Sequence, residues 1–326
     1  ETPAGFELNS AAVAGRVQGF METRLQNYNP RVEVIPARKK GTRFSPDDVQ
    51  VARRILEQDL LFMGPGSPSY AVRQLADSLA WHLLKARNNQ GMPVAFASAA
   101  AISIGKLALP VYEIFKVGED PHWKNGLDLL GYLGLDLVVI PHWNNNDGGE
   151  ELDTRRCFLG VERFTALAGS LDSGLTILGI DENTGLILDF EQETVQVLGS
   201  GSVHILQEGE ETAFSKGETF PLRLMGDYRG KDARPDLPQP VWEMIHAAHK
   251  AQLAEAAVAE ESESALADAV PEQVLDLVEK RRKAREARDW SRADTLREEI
   301  QALGWSVVDT VEGPRIEKAA NSVLDG

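Results

Sequence analysis

Pro93-Val-Ala-Phe-Ala-Ser98-Ala-Ala-Ala-Ile-Ser-Ile-Gly105 decides how the first half of the chain is read. A short apolar run, Val94 to Phe96, passes through Ala97 and Ser98 into alanine-rich sequence of strong helix propensity. That order is expected where a buried strand turns sharply into a helix. In such an elbow the hydroxyl stands at the carboxyl end of the strand, and the N–H after it, here that of Ala99, points where an oxyanion would form. Ser98 is the candidate nucleophile. The same residues also suit a small serine among alanines that lets a helix pack close on a sheet.

Outward from this stretch, strand and helix signals alternate. Asn9 or Ser10 is placed to cap a helix reaching Tyr28, with Val13, Val17, Phe20 and Leu25 near one face; a strand is expected at Val32 to Pro36 and a helix at Ser45 to Glu57. Asp59-Leu-Leu-Phe-Met-Gly64-Pro-Gly66-Ser67-Pro-Ser-Tyr70 reads as a strand breaking into a Gly/Pro loop, followed by a helix to about Ala86. Loops of this kind offer N–H groups to an anion. Beyond Ser98, Leu109 to Val117 is expected to contain a short strand carrying Glu113, and Leu135 to Ile140 is an apolar strand that delivers Pro141-His142-Trp143-Asn144-Asn145. Asp153 or Thr154 is expected to cap a helix to about Gly169. Short strands follow at Leu175 to Ile180, Gly185 to Phe190, Val195 to Leu198, Val203 to Leu206 and Glu218 to Leu222. The pattern predicts an α/β domain with a mostly parallel sheet covered on both faces and an antiparallel extension.

The domain so read spans residues 1–225, and no strand precedes Glu1, which leaves open whether residues lie upstream. Residues 226–270 read as a linker containing a helix, acidic from Glu260 to Asp268, and residues 271–320 as a small helical-hairpin domain. A formal charge of -16 disfavours broad binding to nucleic acid or anionic membrane, so any such contact has to be local. One cysteine, Cys157, excludes an internal disulfide framework and fits a reducing cytosol, and no stretch is apolar enough over a bilayer's width, so a cytoplasmic location is expected. No His/Cys spacing suggests a metal, and no cofactor is called for.

Ser98, His142 and Glu113, with the Gly64 to Ser67 loop beside them, supply what acyl transfer needs. There is a nucleophile, an imidazole to take its proton, a carboxylate to orient the ring, and N–H donors at Gly66 and Ala99 for the oxyanion. Phe62-Met-Gly64-Pro-Gly66-Ser67, Ala97-Ser98-Ala99, Ile140-Pro-His142-Trp-Asn144, Asp153-Thr-Arg155-Arg and Gly179-Ile-Asp-Glu182-Asn-Thr together resemble the serine peptidase family of dipeptidase E and cyanophycinase, over Leu61 to about Leu224. The resemblance implies a flavodoxin-like, class I glutamine amidotransferase-like three-layer sandwich. It also implies hydrolysis of a small peptide or amide, with Gly64, Ser67, Asn144, Arg155 and Glu182 lining the substrate pocket and Glu182 a rival to Glu113 as the acid. Where that family carries glycines two before and two after its serine, this chain has Phe96 and Ala100. Phe96 therefore has to point away from the elbow, or the turn has another geometry.

The run from Arg282 through Trp290, Leu296 and Gly304 to Trp305, with Val308-Asp-Thr-Val-Glu-Gly313, resembles the small C-terminal domain of cysteinyl-tRNA synthetases. It implies a tRNA-contacting or protein-docking module within residues 271–320, without the synthetase's own chemistry. Lys280, Arg281, Arg282, Lys283, Arg285, Arg288 and Arg292 make this segment locally basic, and a solvated helix face interleaved with Glu279, Glu286 and Asp289 accounts for them equally well. Three functions thus stand beside one another: a serine hydrolase, a non-catalytic binding protein on the same fold, and a tRNA-associated accessory protein. The oligomeric state stays open, a homodimer included.

Overall fold

Side-chain caps, more than helix propensity, decide where several helices of this chain begin. The computed structural model describes residues 1–251, 253–254, 270–310 and 313–319. It divides into two units, Glu1–Ala247 and Ala248–Gly326.

In the first unit Asn9 caps α1 (Ser10–Arg24), its Oδ1 accepting from Ala12 N at 3.2 Å. Phe20 and Leu25 remain exposed, so the apolar spacing along α1 does not make a buried stripe. Val32 to Pro36, expected as a strand, makes no strand pairing among the described residues. The helix expected from Ser45 starts later, because the Asp48 carboxylate accepts from Gln50 N and Val51 N at 2.8 and 3.1 Å and takes over as cap. What forms is α2 (Val49–Ala52), running into a 3₁₀ turn at Arg53–Glu57. Then come β1 (Leu61–Met63), α3 (Pro68–Leu75) and α4 (Leu79–Asn89). The single helix expected over Tyr70 to Ala86 is two, since Asp77 turns left-handed at φ 56° and Ser78 Oγ caps α4 by accepting from Trp81 N at 3.2 Å.

β2 (Val94–Phe96) pairs parallel with β1, Met63 opposite Phe96, and leads into α5 (Ala99–Ser103). β3 (Leu107–Ala108) and β4 (Lys124–Asn125) pair antiparallel. Between them, the residues expected as a strand form a π-helical turn, Glu113–Val117. Pro110 explains the change: its carbonyl accepts from Ile114 N at 3.1 Å and starts a helical turn. β5 (Leu137–Ile140) precedes α6 (Val161–Ala168), which begins later than expected because Gly160, at φ 81°, breaks the chain just before it. The remaining strands are β6 (Thr176–Ile180), β7 (Thr184–Asp189), β8 (Thr194–Gly199), β9 (Ser202–Gln207), β10 (Glu210–Ser215) and β11 (Thr219–Pro221). Residues 239–251 form α7.

The expected single, mostly parallel sheet is instead several small ones. One runs β10-β9-β6-β5, with only β5 and β6 parallel, and another runs β11-β8-β7, all antiparallel. Connections such as residues 190–193 are far too short for a parallel crossover and force hairpins. β5 sits at the centre of the packing that positions the site. Val138 and Ile140 are fully buried, against Ile102 of α5, Phe164 and Leu167 of α6 and Ile177 of β6. Each such aliphatic side chain contributes about 1.5–3 kcal/mol by leaving water.

The second unit contains α8 (Glu272–Glu286), α9 (Trp290–Ala302) and the antiparallel hairpin β12 (Trp305–Thr310) and β13 (Gly313–Lys318). Val274, Val278, Ile300, Trp305 and Val307 form its core with Leu277 against them, and Leu296 is buried on α9. The acidic stretch Glu260 to Asp268 lies outside the described residues. Much of the basic run is paired within the unit: Lys280 with Asp276, Arg282 with Glu279 and Glu286, Lys283 with Glu279. Arg281 is nearly buried and makes a two-pronged contact with Asp309, at 2.8 and 2.9 Å.

The hydrogen bonds from Arg281 outweigh partial burial and hold the Asp309 carboxyl below its ordinary value. A depressed carboxylate stabilises the fold above its unfolded pKa of about 4 and loses that contribution as pH falls through the folded value. Asp309→Ala, which leaves Arg281 buried without its main partner, is expected to reduce amide-exchange protection of α8 by about 1–2 kcal/mol at neutral pH, water screening the exposed side of the pair. Hydrogen exchange on the full chain reads this directly, and unchanged protection in α8 would show the pair to be dispensable.

Candidate active site

Ser98 occupies a backbone conformation that L-residues rarely adopt, φ 53° and ψ -117°. β2 stays in register with β1 up to Ala97, whose N–H donates to Met63 O at 3.0 Å, and the chain then reverses at Ser98 into α5. Every residue of α5 is buried, and small side chains at Ala99, Ala100 and Ala101 let the helix approach closely. The elbow therefore forms with Phe96 and Ala100 in place.

His142 follows β5 and is itself left-handed, at φ 55°. Its carbonyl accepts from Asn145 N and Cys157 N, at 3.2 and 3.1 Å, which fixes the turn that swings the ring toward the elbow. His142 Nε2 lies 2.9 Å from Ser98 Oγ. On the other side of the ring, Nδ1 lies 3.2 Å from Glu182 Oε1. An ionised Glu182 only accepts, so Nδ1 carries the proton and Nε2 presents its lone pair to the serine hydroxyl; this tautomer is assigned from the network.

Glu182 comes from the turn between β6 and β7 and is held twice over. Asn145, fully buried, donates from Nδ2 to the same Oε1 at 2.7 Å, and Glu182 N donates to Asn144 Oδ1 at 2.8 Å. Asn144 thus buttresses the acid's backbone, and Asn145, which sequence reasoning passed over, fixes its side chain. The signal for Asn145 was present in the polar cluster after β5, but nothing in its type distinguished it from its neighbour.

Glu113, expected to orient the histidine, is engaged elsewhere: its Oε1 lies 3.2 Å from Lys124 Nζ. Burial pushes its carboxyl up, but hydrogen bonds, among them those from Ser69 and Lys124, outweigh it and hold the pKa below the ordinary value. A π turn that Glu113 opens stands where a strand was expected, and it leaves the carboxylate beside Lys124. Arg155 pairs with Asp153 at 2.9 Å, and this hydrogen bond, joined by the Val161 N–H, holds the Asp153 carboxyl well below the carboxylate range. Ser67 caps α3, its Oγ accepting from Tyr70 N at 3.2 Å. Gly66 follows Gly64 in the same loop at φ 153°, and a Cβ on it would stand 1.9 Å from Pro3 O, so only glycine fits there.

Left-handed backbone at Ser98 costs an L-residue more than it costs glycine. Ser98→Gly is therefore expected to be more stable than Ser98→Ala by about 1 kcal/mol, read as a higher melting temperature under identical conditions. Equal melting temperatures would mean the elbow relaxes once the hydroxyl is gone.

Comparison with known proteins adds two likenesses. The structure superposes on that of a peptidase from an acI-B1 Actinobacterium with a TM-score of 0.51 and 18% identity, over 68% of this chain and 81% of that one. A putative peptidase E protein from Listeria monocytogenes gives a TM-score of 0.34 at 13% identity over 60% of this chain and 75% of that one. Residues 267–313 match the family described as the cysteinyl-tRNA ligase anticodon binding domain. Cysteine–tRNA ligases of Methanosarcina acetivorans and Caldicellulosiruptor saccharolyticus are 49% identical over 53 residues and 43% identical over 58, which is 16% and 18% of this chain. The chain spans only 11% and 12% of those two relatives' lengths. Both resemblances read from the sequence are therefore found: a mixed α/β fold shared with a peptidase, and a C-terminal segment of cysteinyl-tRNA ligase type.

Proposed function

We propose that this chain is a serine-type hydrolase of a peptide or amide bond, built on a flavodoxin-like core, with Ser98 as nucleophile, His142 as base and Glu182 as the orienting acid. The observation that carries the reading is the unbroken relay from Ser98 Oγ through His142 to Glu182, at 2.9 and 3.2 Å, mounted on an elbow at φ 53°. A serine hydroxyl is a poor nucleophile at neutral pH, and a neutral imidazole in hydrogen-bond contact is what activates it. Ser98 Oγ attacks the scissile carbonyl while His142 Nε2 takes its proton. Negative charge on the carbonyl oxygen faces the N–H groups of Ala99 and Gly66. Collapse breaks the C–N bond as His142 returns the proton to the leaving amine, and water, deprotonated by the same ring, then releases the acid from the serine ester.

A fluorophosphonate is expected to label Ser98. Ser98→Ala removes the label, and His142→Ala slows labelling by roughly 10²–10⁴-fold. Glu182→Gln is expected to slow it strongly as well, whereas Glu113→Gln should stay within about twofold of wild type, since its partner is Lys124. Labelling at a different serine, unaffected by Ser98→Ala, would sink the assignment. Wild type that never labels would favour a binding protein on the same fold.

For the second unit we propose a contact module, tRNA being the partner that the ligases resembling it act on. Supporting this is 49% identity over 53 residues; the internal pairing of the basic helix argues that any contact is modest in its charge component. Retention of tRNA by the full chain on a filter should weaken between low and physiological salt, and no retention at low salt would remove the reading.

A further inference from the structure

Aromatic rings extend from His142 toward solvent, and the acyl-transfer chemistry has no use for them. The Phe158 ring centroid lies 5.7 Å from that of His142, and Phe115 lies 5.4 Å beyond Phe158. Along this row Phe158 is half-buried and Phe115 is 42% exposed. The backbones that present both rings are unusual. Phe158 is the last of three consecutive left-handed residues, Arg156, Cys157 and Phe158, at φ 59°, 57° and 67°. For a bulky side chain that conformation is an outlier, and outliers of this kind gather at functional sites. It is locked by Arg156 N on Trp143 O, Cys157 N on His142 O and Phe158 N on Thr154 O, at 2.8, 3.1 and 2.9 Å. The same turn thus fixes His142 and Phe158 together. Phe115 is carried by the π turn, a rare geometry that is frequent at functional sites.

Resting on the hydrolase reading, we propose that Phe115 and Phe158 form a subsite for an apolar, preferably aromatic, side chain on the leaving-amine side of the scissile bond. The side follows from the proton's path. His142 Nε2 hands its proton to the leaving amine, so the residue bearing that amine lies over the imidazole side of Ser98, where Phe158 packs on the ring. Its class follows from the lining. Two rings with the second partly open to water favour an aromatic or branched aliphatic partner. Charged groups on the neighbouring elements are already engaged: Glu113 with Lys124, Lys116 over the Tyr112 ring, Arg155 with Asp153 and Arg156 over Trp143. A charged leaving residue would have to compete with those pairings.

The test is cleavage of a proteome-derived peptide library by the full chain, with products identified by mass spectrometry, so that the leaving side is read whatever the acyl side prefers. Phe, Tyr, Trp and Leu are expected on the leaving side roughly fivefold more often than Asp, Glu or Lys, within the range of a single aromatic contact. Phe115→Ala should bring that enrichment below about twofold, and Phe115→Lys should turn it toward Asp and Glu. Phe115 is partly exposed, so its substitution spares the core, and the wild-type profile needs no variant at all. A flat or charge-favouring wild-type profile overturns the subsite, as does an aromatic preference that survives both substitutions. Ser98 labelled by fluorophosphonate together with a flat profile sinks the subsite alone; Ser98→Ala cleaving the library like wild type, or a library left uncut, sinks the hydrolase reading and the subsite with it.

Discussion

The register of β5 against β6 governs the geometry of the site. Ile140 stands opposite Gly179, so the chain leaves the two strands side by side, with His142 two residues past the end of β5 and Glu182 two residues past the end of β6. Parallel pairing is what permits this, because both strands release their chains at the same edge, where β2 also delivers Ser98. A slip of one residue would exchange the two buried faces of β5, setting each side chain against packing shaped for its neighbour, and carry the imidazole away from the carboxylate. Gly179 secures the register from another direction: a Cβ there would stand 2.5 Å from the Trp143 ring. Trp143, the residue after the histidine, can be fully buried only because β6 has no side chain at that point.

Trp143 in turn binds the histidine loop to the antiparallel part of the sheet. The Arg156 guanidinium lies 3.7 Å from its ring centroid on one contact, and the His204 ring of β9 stacks with it at 5.5 Å. His204 itself stands within ion-pair distance of Asp181 and Glu211, at 3.3 and 2.8 Å. Asp181 precedes Glu182 in the same turn, and its Oδ2 accepts from Ser202 N at 2.9 Å. The candidate acid is therefore held from Asn144 and Asn145 on one side and through Asp181 on the other. Several left-handed residues occur around this site, at Ser98, His142 and Arg156 to Phe158, and each is tied by backbone hydrogen bonds or helix packing. Strain of this kind persists where the surroundings over-determine it.

How much of this was legible in the sequence depended on what kind of signal each part leaves. That Ser98 and His142 would be brought together was legible because each follows an apolar run and stands at a strand end. Which carboxylate reaches the ring was harder to read. Glu113 and Glu182 both lie near apolar runs, and separating them required knowing that Pro110 starts a π turn while Gly179 lies in a parallel strand beside β5. Periodicity cannot distinguish a five-residue strand from a five-residue turn. Helix boundaries slipped where a capping residue stood downstream of the expected start, as Asp48 does after Ser45, or inside the expected helix, as Ser78 does. β10 escaped notice because Glu210-Glu-Thr-Ala-Phe-Ser215 is mostly exposed and so lacks the apolar alternation of a half-buried strand. In the second unit Val274, Leu277, Leu296 and Ile300 recur at helical spacing on two helices that pack on each other, a pattern that leaves a helical hairpin legible in sequence.

Phe96 bears on whether glycine is a requirement of such an elbow or only its usual solution. In a regular strand, residues two apart share a face, so Phe96 and Ser98 would compete for the same side of the sheet. The competition ends where the alternation ends. Ala97 still bonds to Met63 as a strand residue, but Ser98, at φ 53° and ψ -117°, has left the strand conformation and is already turning into α5. The side chain two positions earlier is then governed by β2 and the side chain at the turn by the helix that follows. What the turn cannot dispense with is small volume on the helix side, where Ala99 and Ala100 are buried to 2% and 0% exposure. A bulky residue before the nucleophile is accommodated by the strand, whereas one at Ala100 would have to push α5 away from the sheet and take the Ala99 N–H with it.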